Sequence, residues 1–258
     1  MRGNPFGSEL ALENSSLHWA GVKGLTAANS TSRLDSFLRQ AHKEFRLFVL
    51  EPGFSCIGAK AAFHRNTYAF ATYDRLASVE ATAGLCHDLY CFTKSKMVNE
   101  SEYATFVAVF AEPAEVDEQG FEQLLWQQLH ELHVEDSAHF RWDKSVSHNP
   151  KDPQFSFSFA GRALYVVGMH NNSSRDARRF RWPTLVFNPH EQFKRLRTDG
   201  KWKRMQNSIR ARELVLQGSI NPMLNDFGER SEARQYSGRE VPDDWSPPIT
   251  GGKCPFGH

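Results

Sequence analysis

The sequence predicts an α+β fold, a mixed and largely antiparallel sheet flanked by helices, in one domain with a long irregular C-terminal tail. Three observations predict it. Strand-like and helix-like stretches follow one another without regular βαβ alternation. "FSFSFAGRALYVVGM" reads as a β-hairpin. From residue 218 onward turn formers dominate and little helix is legible. Residues 1–32 read as a polar, unpatterned lead-in, and residues 33–258 as the domain.

The elements follow in order. "RLDSFLRQAHKEF" spaces Leu34, Phe37, Leu38 and Ala41 on one helical face. "FRLFVL" is rich in strand formers and closes on the turn "EPGFS". "CIGAKAAF" suits a short helix, and the alternation in "TYAFATY" suits a strand with one buried face. "TFVAVFAEP" is a strand ended by Pro113. In "FEQLLWQQLHELH" Phe121, Leu124, Leu125, Gln128, Leu129 and Leu132 recur at helical spacing. The hairpin alternates Phe155, Phe157 and Phe159, turns at Gly161-Arg162 and returns as a more continuously apolar strand. "PTLVF" is a further strand. "NPHEQFKRLRTDG" then opens a helix with Asn188 as N-cap, Pro189 at the first position, Glu191 as capping-box partner and Gly200 as its end. A second helix covers about 201–217, with Trp202, Met205, Ile209 and Leu216 on one face and Gly218 as its stop. Phe227, Tyr236, Trp245 and Phe256 give the tail enough apolar surface to wrap around the core.

A net charge of +1 excludes a global basic excess, so a role with nucleic acid or membrane needs a local patch. The four cysteines show no CxxC pair, which fits reduced thiols. The N-terminus lacks a signal-peptide core and no apolar run is long enough to span a bilayer, so a cytoplasmic location is expected. Common nucleotide, zinc-protease, c-type haem and hydrolase motifs are absent.

Several constellations remain. "LHELHVEDSAH" has the composition of a metal site, but its spacing fits a solvated helix end better. Cys56 precedes a short helix whose N-terminus favours a thiolate, and Cys254 is a second candidate contact for metal or haem. His170 sits where the apolar strand ends, and His190 lies in a first helical turn, where the dipole keeps an imidazole neutral. Arg175, Arg178, Arg179 and Arg181 follow His170 closely. With Ser173 or Ser174 as a cap, Arg175 and Arg179 would grip one anionic group. Such a cluster suits a haem, whose iron needs an imidazole or thiolate and whose propionates need arginines. The alternatives are a solvated basic face, or phosphate contacts extended by Lys194, Arg195, Arg197, Lys201, Lys203 and Arg204.

"ALYVVGMHNNSSRDARRFRWPTLVFNPHEQFKRLR", "GSINPMLNDFGERSEARQYSGR" and the closing "CPF" resemble the YqcI/YcgG family, and "GFSCIGAKAAF" resembles its "FPC" segment with Ser55 in place of proline. The resemblance implies a haem-dependent N-oxygenase that hydroxylates a guanidino or amino nitrogen of arginine or an arginine-derived amino acid in natural-product biosynthesis. It implies haem b, dioxygen with an external reductant or peroxide, and a high-valent iron–oxo oxidant, because a guanidinium is a poor nucleophile. Under that reading His170 is the leading axial ligand, with His190 and Cys56 as alternatives. Arg175, Arg178 and Arg179 hold propionates. Glu232 leads for the substrate, with Asn221, Gln235 and Tyr236 as polar neighbours and Asp226 or Glu229 as alternatives. An electron-donor protein is an expected partner, nucleic acid and membrane are not, and a dimer is compatible with the chain. The competing readings are a non-catalytic haem carrier or sensor and a basic-patch nucleic-acid binder.

Overall fold

The computed structural model describes residues 3–29, 32, 34–248 and 256; Cys254 lies outside them. Their helices are α1 (Glu9–Glu13), α2 (Ser36–Leu50), α3 (Ile57–Arg65), α4 (Val79–Thr93), α5 (Lys96–Glu100), α6 (Glu118–Ser137), α7 (His190–Thr198), α8 (Trp202–Gln217) and α9 (Ala233–Tyr236). Their strands are β1 (His18–Gly21), β2 (Gly24–Ala27), β3 (Tyr68–Arg75), β4 (Thr105–Glu112), β5 (Phe157–Phe159), β6 (Arg162–Met169) and β7 (Thr184–Pro189). The fold is α+β. One open seven-stranded sheet runs β2-β1-β3-β4-β7-β6-β5, with only β3 and β4 parallel.

Apolar side chains cover both faces of the sheet. Ala69, Phe106, Phe110 and Phe187 join α4 and α6 on one side, while Phe70, Val107 and Val109 join α2 and α3 on the other. β3 is therefore buried on both faces from Tyr68 to Tyr73, not on the one face that alternation predicts. A central strand packed between two helical layers needs no polar side.

Several local expectations change. "FRLFVL" forms the C-terminal part of α2, because Phe45 and Val49 continue the buried stripe of Leu38 and Ala41 at helical spacing. The described part of the lead-in carries regular structure: α1 packs on α4, and the β1–β2 hairpin adds to β3 at the sheet edge. Asp88, fully buried, anchors this segment by accepting from Ser15 Oγ, Ser16 N (2.8 Å) and Tyr73 Oη (2.9 Å). At the start of the same helix Ser78 Oγ accepts from Ala81 N at 3.1 Å. Ser78→Ala is expected to cost about 1 kcal/mol, read as a lower midpoint in urea at unchanged slope.

The hairpin forms as the phenylalanine alternation predicts, with Phe155, Phe157 and Phe159 all fully buried. Its turn residues are Ala160 (φ 52°) and Gly161 (φ 73°), one position before the expected pair. α7 starts at His190 with Pro189 as N-cap and no side-chain cap; Asn188 stays in β7, its Nδ2 donating to Tyr165 O at 3.3 Å. α8 ends at Gly218 in the left-handed region, as predicted. The end of α6 is solvated on one side only: Val134, Glu135 and Ser137 are exposed, whereas His133 packs edge-on against Trp142 and Phe256, and buried Asp136 accepts from Ala160 N at 2.8 Å. Among the described residues no cluster of metal-ligating side chains occurs, and no helix is long and apolar enough to cross a membrane. Tyr236 and Phe256 both join the core on the α6 side.

Candidate functional site

A cavity of about 300 Å³ lies on the α2–α3 side of the sheet. Its floor comes from β6 and β7, one wall from α2 and α3, another from α7 and α8, and its rim from the turn at residues 175–178 and the tail between residues 221 and 235. Strand parity decides what enters it. Tyr165, Val167 and Met169 line the cavity, whereas Leu164 and Val166 enter the opposite core.

The same parity carries His170 away from the cavity. Its ring stacks on Phe121 of α6 with centroids 4.5 Å apart, and burial lowers its pKa. The residue expected to lead as axial ligand is thus a core histidine on the other face of the sheet. His190 and Cys56 do line the cavity.

Cys56 is the N-cap of α3, and its Sγ accepts from Ala59 N at 3.4 Å. Burial pushes the thiol pKa up, against the backbone N–H groups of Ala59 and Gly58 and the charge of Arg178, which lower it. In the protein alone the sulfur is therefore a thiol, and the helix N-terminus does not yield the expected thiolate without a further positive charge.

The four arginines separate. A one-turn 3-10 helix, Asp176–Arg178, replaces the expected capped helix. Arg179 turns to the surface, pairing with Asp176 at 3.0 Å and donating to Ser173 O. Arg181 pairs with Glu44 at 3.2 Å. Arg175 enters the rim, donating to Glu213 Oε1 at 2.7 Å and Ser219 O at 2.9 Å. Arg178 also lines the cavity, where its guanidinium meets the backbone carbonyls of Gly168 (2.9 Å), Gln235 (3.1 Å) and Tyr236 (3.2 Å) and the Tyr165 hydroxyl. No carboxylate lies within ion-pair distance of it among the described residues; Glu213, already paired with Arg175, acts on it only from farther away.

At another part of the wall His190 meets Glu232, with Nε2 3.7 Å from Oε2. Burial, then Lys194 and Arg197, hold the imidazole pKa down at about 4. Burial pushes the Glu232 carboxyl up to about 8, opposed by hydrogen bonds from Tyr236 and Ser156. Near neutral pH this is a contact between neutral groups and not an ion pair. Tyr236 Oη donates to Glu232 Oε1 at 2.6 Å from behind the cavity wall, so Tyr236 supports the site without lining it. His190 Nδ1, Arg175 Nε and Glu213 Oε2 are buried without a hydrogen-bond partner.

The other predicted polar residues divide similarly. Asn221, Gln235 and Asp226 line the cavity, Gln235 Oε1 accepting from Tyr165 Oη at 2.9 Å and Asp226 Oδ1 from Gln206 Nε2 at 2.5 Å. Glu229 is exposed and caps Asp226 N. Sequence reasoning missed Tyr165, Gln206 and Glu213. Gln206 and Glu213 continue the inward stripe of Met205 and Ile209 on α8, a signal readable from helical spacing once that face is known to cover a cavity.

The sequence model of the YqcI/YcgG family matches residues 45–256. The uncharacterized protein YqcI of Bacillus subtilis (strain 168) is 29% identical over 164 residues, which cover 60% of this chain and 61% of that protein. No solved structure matches. The family match takes in every residue that has just been placed in or behind the cavity, and the chain belongs to the YqcI/YcgG family.

Proposed function

We propose that the chain is a haem-dependent N-oxygenase acting on the guanidino or amino nitrogen of arginine or a related amino acid. One observation carries the reading: a single apolar cavity joins a sulfur at a helix N-terminus, a half-buried arginine with no carboxylate in ion-pair distance, and a protonated glutamate beside a neutral histidine.

These residues fit a haem. Cys56 would hold the iron, and the positive charge there would favour loss of the thiol proton that burial otherwise retains. The Ala59 N–H at the sulfur would temper the thiolate charge. Arg178 would hold a propionate, since a half-buried guanidinium whose partners are neutral carbonyls and a hydroxyl gains from an anion. Bound haem supplies the activation of dioxygen needed to oxidise a nitrogen whose lone pair is delocalised.

The chain's own residues bind and orient the substrate. An arriving guanidinium favours the charged form of Glu232, which releases its proton to solvent and takes the two N–H groups in a fork. Tyr236 keeps the carboxylate oriented from behind. Neutral His190 adds no second positive charge against the guanidinium. Apolar walls from Phe45, Phe54, Phe63 and Val167 keep water from the reacting nitrogen.

An absorption spectrum of the purified protein with and without L-arginine tests this. The expected results are a Soret band, a shift on adding arginine, and an N-hydroxylated product with reductant and dioxygen. A strongly red-shifted Soret in the carbon monoxide complex assigns the iron to Cys56, and an ordinary position assigns it to His190. Protein that stays colourless with ample hemin would sink the proposal. A haem carrier would give the band without the arginine shift.

A further inference from the structure

The span from Lys194 to Arg212 carries eight Lys or Arg residues against the single Asp199, in a chain whose net charge is only +1. It lies on α7 and α8, whose inner sides supply Leu196, Trp202, Met205 and Ile209 to the cavity. Their outer sides expose Lys194, Lys203, Arg204 and Arg212.

Little of this charge is matched. Lys201 pairs with Glu102 and Asp199, Arg195 donates to the carbonyls of Val98 and Asn99, and Arg212 reaches the Pro52 carbonyl. Exposed Lys203 and Arg204 have no carboxylate in ion-pair distance among the described residues, while Arg210 lines the cavity and does not belong to this face. Crowding like charges on one helix is unfavourable for the isolated chain, and an anionic counter-surface removes that repulsion. At the C-terminal end of α8, Leu214 and Val215 are 52% and 87% exposed. Apolar side chains beside a basic rim suit a protein interface, and a phosphate backbone has no use for them.

Resting on the oxygenase reading, we propose that the outer face of α7 and α8 docks a small acidic electron-transfer protein. A redox centre seated there is separated from the cavity by about one helix thickness, on the order of 10 Å. With dioxygen and not peroxide as the oxidant, the balance of the reaction requires an electron donor. Converting N–H and dioxygen to N–OH and water consumes two electrons and two protons. The docked donor gives the electrons one at a time and is itself oxidised, and solvent gives the protons.

The test uses the full haem-loaded chain and stopped-flow reduction by a flavodoxin hydroquinone and, separately, by a reduced [2Fe–2S] ferredoxin, with dithionite as the small-molecule control. Lys203→Glu/Arg204→Glu is expected to slow reduction by either protein about tenfold or more at low salt. The neutral pair Lys203→Gln/Arg204→Gln should lose less. The difference should vanish as salt rises from about 0.01 M to 1 M, over which the screening length falls from about 30 Å to 3 Å. Dithionite should reduce every variant at one rate. Equal rates for wild type and variant with both donors would overturn the proposal, as would an equal slowing with dithionite. Retention of a single-stranded oligonucleotide that these substitutions abolish, without any effect on reduction, would overturn it in favour of nucleic acid. Failure to load haem appears before any donor is added and counts against the oxygenase reading instead.

Discussion

Gly168→Ala is expected to destabilise the protein by on the order of 3 kcal/mol and to lower its thermal midpoint by roughly 6–12 °C. A Cβ at this position would stand 2.6 Å from Leu125 Cδ1, 2.7 Å from Phe121 Cε1 and 2.8 Å from the Tyr236 carbonyl oxygen. Leu125 and Phe121 are fully buried on α6 and have no solvent to move into. The Tyr236 carbonyl is main chain, and Arg178 Nη1 ties it to the Gly168 carbonyl. Relieving the overlap therefore lifts the tail from β6 and moves Gln235 and Glu232 with it. Calorimetry and arginine titration should report two losses, in stability and in affinity. Ser78→Ala, remote from the cavity, should show only the first. An unchanged midpoint in Gly168→Ala would mean that Tyr236 is not seated against β6 in solution.

That coupling also explains how much of the molecule was legible in the sequence. Features encoded by neighbours came through. The Phe155, Phe157 and Phe159 alternation specified a strand, and the Trp202, Met205 and Ile209 stripe with Gly218 specified α8 and its end. Features encoded by distant partners did not. The short β1 and β2 gain their stability from β3 some fifty residues away, and the strand propensity of "FRLFVL" yielded to a helical stripe that begins at Leu38. The site follows the same division. Cys56, His190, Arg178 and Glu232 were recognisable by type, but which of them share a cavity depends on strand parity and on where the tail returns. One residue of register separates Met169, which faces the cavity, from His170, which faces α6. The capping chemistry of "NPHE" misplaced Asn188 because pairing with β6 extends β7 through Pro189.

Glu232→Gln is expected to weaken arginine binding roughly 10–100-fold, the value of one charge-assisted hydrogen-bond pair, and to change the pH dependence of both binding and folding. Burial holds the carboxyl near pKa 8 in the folded protein, against an ordinary 4.5. The folded state thus keeps a proton that the unfolded chain has released. The stability this contributes is complete below about pH 4.5, declines as pH rises and is lost above about pH 8. The full span corresponds to roughly 5 kcal/mol at most. His190, lowered from 6.5 to about 4, acts on the other side, contributing above pH 6.5 and losing its contribution as pH falls through 4. Denaturation at pH 5 and pH 8.5 should therefore show wild type falling relative to the glutamine variant toward alkali, with the acid limb common to both. Binding follows the same proton. Because a guanidinium selects the carboxylate, wild-type affinity should rise with pH toward 8, and calorimetry at pH 7 in two buffers of different ionisation enthalpy should detect about one proton released per arginine. The glutamine variant should release none. If it binds arginine as tightly and with the same proton release, the guanidinium is held elsewhere on the cavity wall. The other carboxylates on that wall are Asp226, engaged by Gln206 on α8, Glu213 and Glu102.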